Sequence, residues 1–202
     1  MGMESYLRIF FEEELQNRGK QITGRLLNLG SGRFARKDHY ENMIDVDLCS
    51  TNAVGHSISL DVNADAARLP FKANSFDTVL CTFLLEHVFE PRKVIESIKR
   101  VLRPNGTLVL STAFLDSYHP DPKDYWRFTK DSLREILEKD FEITELTPIG
   151  GRFLWLLWFL QMQGVPNILS RPFFPAIKFL TKREKNKETW CYCFLAVARK
   201  RG

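Results

Sequence analysis

RLLNLGSG, residues 25–32, is the stretch on which the reading of this chain turns. The run from Arg25 to Leu29 has the composition of a buried strand, and it ends in two glycines that flank Ser31. Because glycine lacks a Cβ, the backbone at Gly30 and Gly32 can take positive φ and approach a bound molecule closely. Gly30, Gly32 and Ala35 also fit the dinucleotide pattern GxGxxA. The turn alone therefore announces a nucleotide-like ligand at a strand end without saying which.

Outward from this turn, apolar runs closed by polar residues or glycine predict further strands over 42–46, 57–62, 77–82 and 107–112, with last strands over 141–146 and 190–198. Residues 4–18 carry Tyr6, Leu7, Ile9, Phe10, Phe11 and Leu15 among glutamates and read as an amphipathic helix stopped by Gly19. A helix over 91–102 starts with Pro91 and shows the stripe Val94, Ile95, Ile98, Val101 and Leu102, after which RPNG at 103–106 turns the chain. Thr129 is the expected N-cap of a helix over 129–139. Strands alternating with helices imply a mostly parallel sheet whose ligand crevice lies at the strands' carboxyl ends. Only about a dozen residues separate Gly30 from the next strand, so the first crossover helices should be short or absent.

Length and composition predict one domain with its own core: 202 residues, 44% apolar and 12% aromatic. The net charge of +4 gathers in Lys182, Arg183, Lys185, Lys187, Arg199, Lys200 and Arg201, a run that solvation explains without nucleic acid. Cys49, Cys81, Cys191 and Cys193 form no CxxC pair and have no histidines at zinc spacing. Neither a metal site nor a disulfide framework is predicted, and a reducing cytoplasm suits these thiols. MGMESYLRIF has no basic flank before a long apolar core, so neither secretion nor lipidation is expected.

MIDVD, residues 43–47, ends in Asp47, beside the glycine turn, where a carboxylate can accept hydrogen bonds from the vicinal hydroxyls of a ribose. Asp45 shares its face of the strand, but Asp47 lies at the strand end. The segment DVNADAARLPFKANSFDTVLCTFLLEHV at 61–88, followed by RVLRPNGTLVLST at 100–112, decides the ligand. These motifs resemble the class I S-adenosylmethionine-dependent methyltransferases, in the branch of the type 11 methyltransferase domain, over residues 25–113. The chain departs from the family at Asn28, often acidic there, and at Asn105, usually glycine.

The resemblance implies an α/β, three-layer Rossmann-like methyltransferase fold: a mostly parallel seven-stranded sheet with an antiparallel last strand and an apolar helical insert before it. It implies S-adenosyl-L-methionine as cofactor and S-adenosyl-L-homocysteine as product. Asn28, Gly30, Ser31 and Gly32 would meet the methionine part, Asp47 the ribose, Asp65 and Ala66 the adenine, and Cys81 with Thr82 would line the crevice. Leu69 and Phe71 can add apolar contact. Read without the resemblance, Asp65 is a turn or cap residue.

SYHPDPKDYWRFT, residues 117–129, follows the fifth strand and so rises over the same crevice as a substrate-side wall, with Tyr125, Trp126 and Arg127 as substrate-binding residues. The competing reading packs Tyr125, Trp126 and Phe128 on the core and pairs Asp124 with Arg127. Methyl transfer from a sulfonium needs alignment, exclusion of water and, for a hydroxyl acceptor, a base. His119, then His87, then Asp121 are the candidates, histidine first because its pKa lies near working pH.

Between 151 and 181 the composition turns apolar, beginning with FLWLLWFL at 153–160. The run is too short to span a bilayer and predicts two short helices. They read as core, as a lid over the acceptor, as a homodimer interface, or as a peripheral membrane contact in which Arg171, Lys178, Lys182 and Arg183 meet anionic headgroups. The predicted organisation is one domain over 1–202, with a core at 20–150 and 188–200 and the insert at 151–181. The expected activity is methyl transfer to a small-molecule acceptor such as a saccharide, lipid or lipid-linked intermediate. An NAD(P)-dependent oxidoreductase and a non-catalytic cofactor-binding module are the alternatives.

Overall fold

The computed structural model describes residues 6–32, 40, 42–48, 60–120, 122–165 and 171–202, the side chain of Arg171 excepted. Among these residues seven strands form one sheet: β1 (Leu26–Leu29), β2 (Met43–Asp47), β3 (Val62–Asn63), β4 (Phe76–Thr82), β5 (Leu102–Ala113), β6 (Phe141–Gly150) and β7 (Cys191–Lys200). Their order is β3-β2-β1-β4-β5-β7-β6. The first five are parallel, and β7 lies antiparallel between β5 and β6, as the family resemblance implies. Strand order reverses at β1 and β4, so the glycine turn sits at the switch point, where open α/β sheets bind ligands. Ala35, Cys49, Asp121 and most of the first two crossovers lie outside the described residues.

Successive side chains of each strand go to opposite faces, and this alternation builds two cores. Leu27, Leu29, Val79, Cys81, Leu108, Leu110, Ala196 and Ala198 share one with helices α2 (Pro91–Val101) and α3 (Lys130–Leu137). Leu26, Leu80, Val109, Leu195 and Val197 share the other with α1 (Tyr6–Gln16) and α4 (Arg152–Met162), against which α5 (Phe174–Arg183) also packs. Pro91 opens α2, and Val94, Ile95, Ile98 and Val101 are all buried. Each such side chain gains about 1.5–3 kcal/mol over exposure, more than any difference in helix propensity. Thr129 caps α3 through a reciprocal box: its hydroxyl accepts from the Ser132 amide, and the Ser132 hydroxyl accepts from the Thr129 amide.

Three boundaries differ from expectation. RPNG lies inside β5 as a bulge, since β4 advances from Phe76 to Thr78 while β5 advances from Leu102 to Thr107. The left-handed residue there is Asn105, at φ 62°, whereas Gly106 is a matter of room: a Cβ would stand 2.9 Å from the Arg103 carbonyl oxygen. The third strand is only Val62–Asn63 within the described residues. The last two strands are longer than expected because each pairs with the other along nearly its whole length.

The apolar stretch after β6 does form two helices, α4 and α5. Leu154 and Leu157 are the buried residues of α4, and α5 is held to α1 by Lys178 on Glu13, Lys182 beside Glu14, and the stacked rings of Phe174 and Tyr6. Lys178 and Lys182, two of the cations expected to face lipid headgroups, are therefore spent on glutamates of the same chain. Among the described residues, no helix is long and apolar enough to cross a membrane.

Candidate active site

The glycine turn closes β1 in a left-handed bend, with φ of 65° at Gly30 and 48° at Gly32. A Cβ on Gly30 would come 3.0 Å from Leu84, so glycine is needed there for space as well as for conformation. The amides of Gly30 and Ser31 donate to the Val46 carbonyl, and the Gly32 amide donates to Asp47 Oδ2 at 2.9 Å. Asp47 Oδ1 accepts from the Leu48 amide. Asp47 thus braces the turn and presents a half-buried carboxylate at the end of β2. Asp45 is wholly buried and accepts from Asn28 Nδ2 at 2.8 Å.

Two buried polar atoms at this turn, Asn28 Oδ1 and Ser31 Oγ, have no partner among the described residues. Such orphans are costly unless a ligand meets them. One accepts and the other can donate, which suits the ammonium and carboxylate of a methionine moiety. Asp65 caps a short 3₁₀ turn at Ala66–Arg68 through Oδ1, so the capping role is real. Leu69 is buried, half-buried Phe71 packs on Phe76, and Arg100 donates to the carbonyls of both Leu69 and Phe71. Thr82 is buried at the end of β4. The Cys81 side chain, by contrast, belongs to the α2 core and not to the crevice wall, because pleat alternation turns it inward. Burial pushes its thiol pKa up.

Beyond β4 and β5, segments 83–89 and 114–128 lock together. The amides of Tyr125 and Trp126 donate to the Glu86 carbonyl, Trp126 Nε1 donates to the Val88 carbonyl, and His87 Nδ1 meets the Lys123 carbonyl at 2.6 Å. Asp124, 1% exposed in its side chain, accepts both terminal nitrogens of Arg127 and the His119 amide. The Arg127 guanidinium holds that carboxyl well below the usual range. Arg127 also donates to the carbonyls of Asp116, Ser117 and Trp126. Its donors are consumed inside the loop, so Arg127 shapes the wall and is not aimed at an acceptor. The rings of Tyr125 and Trp126 are 45% and 43% exposed, the former against Phe89.

His87 and His119 come together, their ring centroids 5.1 Å apart. His119 Nδ1 meets the Ser117 carbonyl at 2.7 Å. Since a carbonyl can only accept, each ring carries a proton on Nδ1. Between them stands Glu86, which sequence reasoning passed over. It is wholly buried; Oε1 accepts from the Ala113 amide, and Oε2 has no partner among the described residues. Burial pushes its pKa up to about 8. The signal was an acid inside the apolar run FLLEHV, since unpaired glutamates are almost never buried.

Comparison with known proteins agrees with this architecture. The family described as "Methyltransferase domain" matches residues 17–110. The O-methyltransferase rstn1 of Aspergillus nomiae is 28% identical over 163 residues, covering 67% of this chain and 72% of that protein. The demethylmenaquinone methyltransferase of Paenarthrobacter aurescens is 35% identical over 99 residues, 45% of this chain and 39% of that one, so the match spans about two fifths of the relative. Among solved structures, the 1,6-didemethyltoxoflavin-N1-methyltransferase of Burkholderia thailandensis superposes with a TM-score of 0.60 at 16% identity, covering 98% of this chain and 80% of that one. Sheet order and glycine turn give this chain the fold seen in S-adenosylmethionine-dependent methyltransferases, and the methyltransferase domain matches it over residues 17–110, a little under half of its length.

Proposed function

We propose that the chain methylates an oxygen of a small apolar acceptor, of lipid or lipid-linked type, seated between the Glu86, His87 and His119 cluster and the helices α4 and α5. The observation that carries this reading is the apolar surface of those helices. Leu156, Phe159, Met162, Phe173 and Phe179 are each between 41% and 63% exposed, more than a solvent-facing helix pair needs. Strand β6 runs parallel to β5, so α4 leaves the sheet at the same edge as the glycine turn. An oxygen acceptor accords with the O-methyltransferase among the relatives.

When bound, the cofactor supplies an electrophilic methyl group on a sulfonium, and the chain's own residues align, shield and deprotonate. Asn28, Ser31 and the glycine turn would hold the methionine part, Asp47 the ribose hydroxyls, and Asp65 with Ala66 the adenine. Tyr125 and Trp126 would face the acceptor, and its proton would leave through the Glu86, His87 and His119 cluster. The test is incubation with methyl-labelled cofactor and total cell extract, followed by partition between organic and aqueous phases. Label in the organic phase supports the reading; label confined to water-soluble saccharides overturns it. The same apolar face would rest on a membrane while the acceptor enters. Liposome flotation tests that contact, and a stable dimer in sedimentation with no flotation would assign the face to a second copy instead.

A further inference from the structure

One donor atom from each of Glu86, His87 and His119 lies within 4.8 Å of the other two. The three side chains reach this point from different segments, the first two from the turn after β4 and the third from the loop after β5. Each imidazole gives its Nδ1–H to a main-chain carbonyl, of Lys123 and of Ser117, which fixes the ring and leaves Nε2 as the ligating atom. That outer bond is the usual companion of a metal-bound histidine. The carboxylates of Asp116 and Asp124 stand 3.6 and 3.8 Å from His119 Nδ1. Glu86 Oε2 is wholly buried with no partner among the described residues, an arrangement that needs a cation or a proton to be tolerable.

We propose that Glu86, His87 and His119 hold a divalent transition-metal ion, with Zn2+ the first candidate, and leave at least one coordination position open. Two imidazoles and one carboxylate form a donor set that suits zinc and its first-row neighbours and poorly suits magnesium or calcium, which prefer all-oxygen sites. With bonds of about 2.1 Å, tetrahedral donors stand about 3.4 Å apart, so side-chain rotation that brings the widest pair, within 4.8 Å, closer by at most about 1.4 Å completes the site. An acceptor oxygen in the open position would have its pKa lowered by the ion and would release its proton to solvent water, so that with the ion bound the three side chains serve as ligands and not as bases. That role rests on the proposed methyl transfer to oxygen; the binding of the ion does not.

The test uses the full chain, stripped with chelator, and titrates ZnCl2 by calorimetry at neutral pH, with CoCl2 followed by visible absorption. One equivalent should bind, and Co2+ should give the intense d–d bands of a low-coordinate site. His87→Ala, His119→Ala and the isosteric Glu86→Gln should each weaken Zn2+ at least about 100-fold, beyond what outer-shell changes cost. S-adenosylhomocysteine titrated into every variant reports folding. Variants that bind the nucleoside product and hold Zn2+ as tightly as the parent overturn the site, as does a parent that binds the product and no metal. Metal binding without product binding would sustain the site and count against the cofactor reading instead.

Discussion

Asn28→Asp would put back at the end of β1 the acid often found there in the family, and the surroundings of Asn28 forecast harm. Asn28 is wholly buried, and its Nδ2 donates to Asp45 Oδ1 at 2.8 Å. Aspartate has the same size and no N–H, so two carboxyl groups would meet where donor met acceptor. At that 2.8 Å separation two unit charges repel by roughly 6 kcal/mol for an effective dielectric of about 20. Keeping one of them protonated at pH 7 costs roughly 4 kcal/mol, from 1.36 kcal/mol for each of about three pH units above an ordinary aspartate pKa. Protonation is the lesser cost, and the O–H···O bond it creates recovers about 1 kcal/mol. The variant should therefore lose about 3 kcal/mol at pH 7. A carboxyl whose pKa is raised by folding costs stability only above its unfolded pKa, so the deficit should shrink by about 1.4 kcal/mol per unit as pH falls and nearly vanish by about pH 4.5. Urea unfolding of both proteins at pH 7 and pH 4.5, followed by circular dichroism, measures it. Equal stability at pH 7, or a deficit that persists at pH 4.5, would refute the reasoning. Combining Asn28→Asp with Asp45→Asn restores a donor facing an acceptor and should return most of the loss.

Other expectations follow from the same geometry. His119→Ala should cut turnover by about 100-fold or more while leaving the affinity for S-adenosylhomocysteine within a few-fold of the parent; an unchanged rate removes the residue from the reaction. Gly30→Ala, which forces φ 65° on an L residue and drives a Cβ to 3.0 Å from Leu84, should lose about 1–2 kcal/mol in thermal unfolding and weaken cofactor binding in calorimetry. Asp124→Asn removes the buried partner of Arg127 and should destabilise the fold by about 3 kcal/mol at pH 7. Because folding lowers the Asp124 pKa, its contribution is complete above the ordinary aspartate value and is lost as pH falls below about 4. The gap between variant and parent in urea melts should narrow from pH 7 to pH 3, and a constant gap would show that Arg127 is not the cause.

What was legible in the sequence was what local pattern encodes. The Gly30 turn, the proline start of α2 and the Thr129 cap announce themselves because a missing Cβ, a fixed φ and a hydroxyl at the right spacing act within a few residues of one another. The glycine turn and its brace at Asp47 were readable for the same reason, since strand, turn and acid lie within 25–47. The acceptor side was less so. Arg127 looks like a free cation in sequence, yet its partners are carbonyls and a carboxylate fixed by the folding of 116–127. Cys81 looked like a crevice residue until the pleat turned it inward. Glu86, His87 and His119 are separated by up to 33 positions and become one group only when the two loops close on each other.

The bonds that clamp those loops bear on the choice of acceptor. At residue 125 it is the main-chain N–H, not the phenol, that ties the wall to Glu86, while the ring stands 45% exposed. Nearly any residue but proline could occupy that position without loosening the clamp. On the proposed reading, in which Tyr125 faces the acceptor, a single substitution at 125 changes the surface offered to the acceptor and leaves the clamp intact.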